Sequence, residues 1–173
     1  MFLDETAAAT NMARRYGWAP RGERCRLAAP LGHYKTTTIT AALRTSGLCA
    51  TALLDGATNG RRFCSYVTEP LIPVLQQGDI VIMDNLPAHK VAGVQAAIEA
   101  AGARLLYLPS YSPDFNPIEQ AFAKLKALLR SAATRTIPDL STAIQQAFAC
   151  FTPQECRNYI TAAGYENDLA VAT

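Results

Sequence analysis

The chain has 173 residues, of which 50% are hydrophobic and 17% are charged, and its formal net charge is +2. This composition predicts a domain with a sizeable core, and it excludes both a largely disordered chain and a strong global attraction to nucleic acid. No apolar run approaches the roughly 20 residues of a membrane span, so no membrane segment is predicted.

The first half of the chain is predicted to be rich in strands. Apolar and β-branched segments bounded by turn residues indicate strands at residues 1–6, 24–29, 36–43 and 49–54. The first of these is expected to end soon after Asp4. A helix is expected over residues 59–77, bent or ended by Pro70 and Pro73.

The second half alternates predicted strands and helices. The run DIVIMD at residues 79–84 is typical of a strand buried on both faces, and a second buried strand is expected at residues 104–108. Helices are predicted at residues 90–101, 117–132, 138–150 and 153–163, and the tail at 166–173 is expected to fray. The order predicts an α/β fold, a mixed sheet flanked by helices.

The amino terminus and the cysteines indicate where the protein works. The first residues lack the basic region and apolar run of a signal peptide. The cysteines are odd in number and form no CxxC pair, so we expect neither a zinc site nor a disulfide framework: Cys25, Cys49, Cys64, Cys150 and Cys156. The prediction is a reduced, cytoplasmic protein.

Three acidic residues stand where backbone ends expose side chains. Asp4 lies near the end of the first strand, Asp84 ends the buried strand, and Glu119 lies in the first turn of the helix at residues 117–132. Ligands bind at the carboxyl ends of strands in open sheets, and carboxylates held together need a counter-charge. Mg²⁺ prefers such oxygen ligands, and a pair of divalent ions suits phosphodiester chemistry.

Each acidic residue also has a simpler interpretation. Asn116, Pro117 and Glu119 match the N-cap, first and third positions of a helix, so Glu119 could cap that helix, with or without a metal role. Asp84 could be a turn residue after its strand. Asp4 could be a solvated strand end, while its neighbour Glu5 is expected to point to the opposite face of the strand.

Two segments carry a resemblance to a known family. VIMDNLPAHK and LPSYSPDFNPIEQAFAKLK, with 34 residues between Asp84 and Glu119, resemble the DDE transposases of the mariner-like superfamily, in particular its bacterial insertion-sequence branch. FLDET resembles the strand of the family's first aspartate, and GWAPRGER resembles the stretch after it. The resemblance covers most of the chain, from Phe2 to Arg130.

This resemblance implies a ribonuclease-H-like fold, which we place at residues 1–135. The helices predicted within residues 136–173 are expected to pack on the same domain. The resemblance implies that Asp4, Asp84 and Glu119 are the catalytic residues and bind two Mg²⁺ ions, for which Mn²⁺ can substitute. The implied reaction is cleavage of transposon-end DNA followed by attack of the freed 3′-hydroxyl on target DNA. The family usually acts as a homodimer, and it carries a helix-turn-helix DNA-binding region before the first strand that this sequence lacks.

Further residues are candidates for supporting roles. By resemblance, His89 could contact the scissile phosphate or orient a water on the metal, and Asn85 is a second accessory residue. His89 could equally be a hydrogen-bonding residue at a helix start. Lys126 and Arg130 lie on the same flank of the helix as Glu119 and could guide a DNA backbone. The candidates for DNA contact are Lys126, Arg130, Arg21 and Lys90. A solvated basic face is the simpler alternative for each.

Two other functions compete with transposition. The chain could be the product of a truncated or decayed element, with the fold but no activity. It could also be a related nuclease that cleaves DNA without strand transfer. Metal binding tests the first alternative, and a strand-transfer assay on a pre-cut end tests the second.

Overall fold

The fold is built on a mixed sheet, seen in a computed structural model that describes residues 1–28, 30 and 34–165. Within these residues the sheet has five strands: β1 (Phe2–Ala9), β2 (Thr36–Arg44), β3 (Gly47–Asp55), β4 (Ile80–Met83) and β5 (Arg104–Tyr107). Their order is β3-β2-β1-β4-β5. β2 pairs antiparallel with β1 and with β3, whereas β4 runs parallel to β1 and β5.

Five α-helices flank this sheet in the described part of the chain: α1 (Gly60–Tyr66), α2 (Val94–Ala100), α3 (Ile118–Ala132), α4 (Ile137–Phe148) and α5 (Pro153–Ala162). α1 runs on through a π-helical turn, Val67–Leu71, that contains Pro70, and through a 3-10 turn, Ile72–Val74. Proline removes a backbone donor, which explains why regular α-helix stops here. Among the described residues, no helix combines the length and the apolar character needed to cross a membrane.

The alternation of side chains along β1 divides the core into two layers. Phe2 belongs to an apolar cluster with Ile118 and Phe122 of α3, and α4 and α5 contribute to the same cluster. Leu3 points to the opposite face and packs in a second cluster with Phe63 of α1 and with residues of α2. Because strand side chains alternate, the next two residues of β1 continue the pattern, one on each face.

The structure confirms the mixed sheet with helices on its faces, and it moves some predicted boundaries. β1 continues to Ala9 and does not stop near Asp4, because it pairs with β2 along its whole length. The strand predicted at residues 24–29 is wrong: residues 24–28 form no strand and are exposed. Residue 29 and the tail at 166–173, predicted to fray, lie outside the described residues.

Two further predictions are corrected on the other side of the sheet. α2 begins at Val94 instead of residue 90, because Pro87–Lys90 forms a 3-10 turn and Gly93 adopts a positive φ of 97° before the helix. Only glycine takes that conformation without strain. β5 is not buried on both faces, since it is an edge strand and Leu106 is 43% exposed.

Candidate active site

The three acidic residues identified in the sequence line one cavity. Asp4 lies within β1, Asp84 directly follows β4, and Glu119 is the second residue of α3. Together they border a cavity of about 370 Å³, closed on another side by the loop at residues 108–113. The structure therefore brings together residues that are up to 115 positions apart in the sequence.

The register of the sheet explains why two of these carboxylates meet. β1 and β4 are parallel neighbours, and Leu3 pairs with Met83, so the next residues, Asp4 and Asp84, stand side by side. β4 leaves the sheet at this point while β1 continues along β2, which opens a space beside Asp4. Open space next to a rigid strand is where ligands bind in sheets of this kind.

Asp4 is a buried carboxylate with two donors. Its Oδ1 accepts a hydrogen bond of 2.6 Å from the backbone N–H of Glu5, and its Oδ2 accepts one of 2.7 Å from Nδ2 of Asn116. Burial raises the pKa of Asp4 to about 7; the hydrogen bond from Glu5 opposes the rise, and the charges of Asp84 and Glu119 add to it. Without metal, Asp4 therefore holds a proton over much of the range below neutral pH.

Asn116 is the residue of this site that the sequence did not reveal. Its side chain does not cap α3 as predicted: Pro117 occupies the cap position, and no side chain there accepts a hydrogen bond. Instead the buried side chain of Asn116 points across the core to Asp4. No local pattern could have indicated a contact between residues that lie 112 positions apart.

Glu119 is exposed at the start of α3. Its backbone N–H donates to the carbonyl of Asn116 at 3.1 Å. Its carboxylate has no hydrogen-bond partner within the described residues, so the structure does not show the alternative interpretation of Glu119 as a helix cap. The side chain is therefore free to turn into the cavity, although the helix terminus still favours its negative charge.

Among the described residues, the contacts of the Asp84 carboxylate all involve one oxygen. Its Oδ1 accepts a hydrogen bond of 3.4 Å from the backbone N–H of Leu86 and forms an ion pair with Nδ1 of His89. The His89 side chain is fully buried and lies against Phe63, with ring centroids 4.2 Å apart. It therefore supports Asp84 and does not present a nitrogen to a phosphate in this structure.

His89 has a second carboxylate as a neighbour. Its Nε2 lies 3.6 Å from Oε2 of Glu5, which points away from Asp4 as the alternation of β1 requires. Burial lowers the pKa of His89, but the carboxylates of Asp84 and Glu5 outweigh burial and raise the pKa to about 9. The imidazole is therefore a buried cation at neutral pH, beside the carboxylate that borders the cavity.

The other predicted residues lie at different distances from this cavity. Asn85 lines it, and its Nδ2 donates to Oγ of Ser110 at 3.3 Å. Lys126 and Arg130 are half-buried on α3, whereas Arg21 and Lys90 are exposed. None of these four basic residues borders the cavity.

The donor chemistry of the site fits a divalent cation. Among the described residues, no three side chains of His, Cys, Asp or Glu stand close enough to hold a metal ion as they are placed. However, the described contacts of Asp84 all involve Oδ1, and the Glu119 carboxylate has no partner, so oxygens of both are free to turn. Carboxylate oxygens are the ligands that Mg²⁺ prefers.

A comparison with protein families gives the class of this domain. The family described as "DDE superfamily endonuclease" matches residues 1–142. The chain belongs to this family. A comparison with curated protein sequences gives no match.

Solved structures show which fold this is. A Mos1 transposase paired-end complex with left transposon end is similar over 94% of this chain and 51% of that chain, with a TM-score of 0.77 and 21% identity. A mariner Mos1 paired-end complex with Mg is similar over 94% of this chain and 53% of that chain, with a TM-score of 0.68 and 17% identity. The catalytic domain of Mos1 mariner transposase is similar over 96% of this chain and 83% of that chain, with a TM-score of 0.60 and 17% identity.

These similarities confirm the predicted ribonuclease-H-like fold. The present chain spans about half the length of the Mos1 chains in the two paired-end complexes. It spans most of the isolated Mos1 catalytic domain. The shared part is therefore the catalytic domain of that transposase.

Proposed function

We propose that this domain is the catalytic part of a mariner-like transposase, which cleaves DNA strands and joins them to a target. The observation that carries the proposal is the single cavity bordered by Asp4, Asp84 and Glu119. Membership of the DDE endonuclease family supports phosphodiester chemistry. The motif around Glu119 favours the bacterial insertion-sequence branch of that superfamily.

The proposed cofactors are two divalent ions, Mg²⁺ with Mn²⁺ as a substitute. Asp4, Asp84 and Glu119 would be the residues that hold them. The chemistry that such ions supply is activation of the nucleophile and stabilisation of charge on the leaving oxygen. Support comes from the carboxylate donor set and from a similar Mos1 complex solved with Mg.

The residues of the chain have separate tasks in this proposal. Asp4 must release its proton to act as a ligand, and Asn116 then keeps the carboxylate oriented through its hydrogen bond. In the first step a water oxygen attacks the phosphorus, and the 3′-oxygen of the transposon end leaves. In the second step that 3′-hydroxyl attacks a phosphorus of the target and displaces the 3′-oxygen of the target strand, with no covalent enzyme intermediate.

DNA is the proposed partner, both as transposon ends and as target. A similar Mos1 structure is described with a transposon end, and Lys126 and Arg130 share the helix flank of Glu119. Arg21 and Lys90 are further exposed candidates for phosphate contacts. We also propose that the active form is a homodimer and that specific recognition of the ends needs a helix-turn-helix region in addition to this catalytic domain.

The proposed domain boundary places residues 1–135 in the catalytic fold and residues 136–173 in helices that pack on it. Support comes from Leu140 and Ile144 of α4 and Ile160 of α5, which join the apolar cluster around α3. Burial of these side chains removes apolar surface from water, so we expect the two segments to unfold together. The cytoplasmic location stays a prediction.

An assay with a pre-cut DNA end tests the proposed reaction. A duplex with a free 3′-hydroxyl is mixed with supercoiled plasmid and either Mg²⁺ or Mn²⁺, at protein concentrations high enough to bypass specific end recognition. We expect joining of the duplex to the plasmid, and we expect Asp84→Asn and Glu119→Gln to abolish it. Asp114→Asn is the matched control, because Asp114 is an exposed acid on the turn before α3.

A domain with this fold but without activity is the second candidate. The observation in its favour is that no metal-holding group of three side chains is assembled among the described residues. Absence of both nicking and joining, together with absence of Mn²⁺ binding, would favour this candidate. Nicking without joining would instead favour a nuclease that lacks strand transfer.

A further inference from the structure

Three side chains form a line of contacts from β1 to the candidate active site. Oε2 of Glu5 lies 3.6 Å from Nε2 of His89, and Nδ1 of the same ring forms an ion pair with Oδ1 of Asp84. Asp4 and Glu5 are consecutive, so β1 reaches Asp84 in two ways. Asp4 borders the same cavity as Asp84. Glu5 lies on the other face of the strand and is connected to Asp84 through the imidazole of His89.

The ring between the two carboxylates has a fixed place. The side chain of His89 is fully buried, and its face lies against the ring of Phe63 at an interplanar angle of 32°. Phe63 is itself fully buried in the second apolar cluster, and Pro87 starts the short turn that carries His89. The ring therefore cannot swing away without opening a cavity in a close-packed layer.

The carboxylate of Glu5 lowers the stability of the fold, and packing in the core gives no reason for a carboxylate at this position. Its Oε1 is buried and has no hydrogen-bond partner within the described residues. A buried polar atom without a partner lowers stability, and an apolar side chain at this position would avoid that cost. The contact with His89 is the described interaction that accounts for a carboxylate here.

The contacts from Glu5 through His89 end at one oxygen of the Asp84 carboxylate. The ion pair with His89 and the hydrogen bond from Leu86 both involve Oδ1. Fixing Oδ1 on the protein side leaves Oδ2 as the oxygen that faces a ligand in the cavity. Partners of this kind, behind the ligating side chains, commonly change metal affinity by about 10-fold to 100-fold.

We propose that Glu5 is a positioning residue that acts through His89 to orient the Asp84 carboxylate, so that Oδ2 is presented to the cavity. This inference rests on the proposed function, because it gives Asp84 a ligand to meet. It assigns a role to the acidic residue next to Asp4 without making that residue a metal ligand. The determining property of Glu5 is its reach to Nε2.

Three substitutions separate reach from charge. Glu5→Gln keeps the length of the side chain and an acceptor oxygen, Glu5→Asp keeps the charge but is one methylene shorter, and Glu5→Ala removes both. Glu69→Ala is the matched control, because Glu69 is an exposed acid on the turn that follows α1. Each variant of the full chain is first compared with wild type by thermal unfolding without metal.

The first readout is the affinity for Mn²⁺, measured by calorimetry. We expect Glu5→Asp and Glu5→Ala to bind Mn²⁺ about 10-fold more weakly than wild type, and Glu5→Gln to stay within about 3-fold of it. In the joining assay, the two weak variants are expected to lose kcat with little change in the KM for DNA. Unchanged Mn²⁺ affinity in Glu5→Asp and Glu5→Ala, or equal loss in Glu5→Gln and Glu5→Asp, would overturn the proposal.

The second readout needs neither metal nor activity. The ¹³C signal of the Asp84 carboxyl and the ¹⁵N signals of the His89 ring are recorded in metal-free protein. We expect both to change in Glu5→Asp and to stay close to wild type in Glu69→Ala. In Glu5→Gln the Asp84 signal should stay close to wild type, whereas the His89 signals can respond to the lost charge. Signals of Asp84 that do not respond to Glu5→Asp contradict the positioning role.

The two readouts also separate this inference from the proposed function. If wild type binds no Mn²⁺ but the Asp84 signal still depends on Glu5, the line of contacts is real and the proposed metal chemistry fails. If wild type binds Mn²⁺ and the Asp84 signal ignores Glu5, the positioning role fails and the metal chemistry stands. If Glu5→Ala does not fold, the comparison of Glu5→Asp with Glu5→Gln is sufficient to test the positioning role.

Discussion

Nδ2 of Asn116 donates a hydrogen bond of 2.7 Å to Oδ2 of Asp4, and both side chains are buried. This contact ties the start of α3 to the middle of β1. It places Glu119, three residues after Asn116, at the mouth of the same cavity that Asp4 borders. The geometry of the candidate site therefore depends on a residue that is not itself an acid.

Substitution of Asn116 is expected to lower stability more when Asp4 is charged. Asn116→Ala leaves Oδ2 of Asp4 buried without its donor, which costs about 1–3 kcal/mol of unfolding free energy. We expect the larger loss at pH 8, above the Asp4 pKa of about 7, and the smaller loss at pH 5. Urea unfolding without metal measures both.

The control for that experiment is Asn85→Ala. Asn85 lines the same cavity, but its hydrogen bond to Ser110 is exposed. We expect it to change the unfolding free energy by less than about 1 kcal/mol at either pH. Equal losses of unfolding free energy in Asn116→Ala and Asn85→Ala would show that the hydrogen bond to Asp4 does not stabilise the fold more than an exposed one.

The titration of Asp4 predicts a pH dependence of stability. Its pKa in the folded chain is raised, mainly by burial, from 3.8 to about 7, so the folded state keeps a proton that the unfolded chain has released. The stabilising contribution of that proton is full below about pH 4 and is lost as pH rises through about 7. Thermal or urea unfolding of metal-free protein at pH 4–8 measures it.

Asp4→Asn isolates this effect because the amide does not titrate. We expect the variant to gain stability relative to wild type as pH rises, by on the order of 4 kcal/mol at pH 8. The buried Oδ1 of Asn116 has no hydrogen-bond partner within the described residues, so a flipped amide can accept from the new side chain. A difference between the two proteins that is constant from pH 4 to pH 8 would contradict the raised pKa.

Glu119→Gln separates metal binding from a role in the helix start. The Glu119 carboxylate has no hydrogen-bond partner in the described structure, so we expect the metal-free variant to differ from wild type by less than about 0.5 kcal/mol. Mn²⁺ should raise the unfolding midpoint of wild type but not of the variant, because only binding to the native state stabilises it. Differential scanning calorimetry with and without Mn²⁺ measures this.

Glu99→Gln serves as the control for that comparison, since Glu99 is an exposed residue of α2 outside the candidate site. Its midpoint should rise with Mn²⁺ as much as that of wild type. An equal Mn²⁺ shift in Glu119→Gln would remove Glu119 from the proposed ligands. A loss of stability in metal-free Glu119→Ala that is absent in Glu119→Gln would restore the capping role, because Gln can cap a helix as Glu does and Ala cannot.

The basic residues of α3 are expected to contribute to DNA binding without determining sequence preference. Lys126→Ala and Arg130→Ala should each reduce the salt dependence of binding to duplex DNA by about one phosphate contact. Fluorescence anisotropy at several salt concentrations measures the slope. Arg104→Ala is the control, because Arg104 is an exposed cation on the edge strand.

Lys124 should behave differently from its neighbours on the same helix. Its Nζ forms hydrogen bonds of 2.6 Å with Glu155 and 2.7 Å with the carbonyl of Cys150, which tie α3 to α5. We expect Lys124→Ala to lower the thermal midpoint and to leave the salt slope unchanged. An unchanged midpoint and a reduced slope would instead make Lys124 a DNA contact.

Local pattern predicted the parts of this protein that depend on neighbouring residues. The apolar stripe of α3 recurs at the helical period, and the β-branched run of β2 suits a pleated surface, so both appear at nearly the predicted bounds. The three acidic candidates, and the spacing between Asp84 and Glu119, could also be identified from the sequence. The resemblance drawn from those motifs identified the family and the fold.

Tertiary structure decided the contacts that give those residues their surroundings. Sequence alone read Asn116 as a helix cap and β5 as a buried strand, because a local pattern does not show what lies across the core or which strand ends a sheet. The register of β1 against β4 put Asp4 beside Asp84, and the alternation of β1 sent Glu5 to His89 on the other face. Such relationships arise only when distant segments pack together, since burial and strand pairing act between residues that the chain itself keeps far apart.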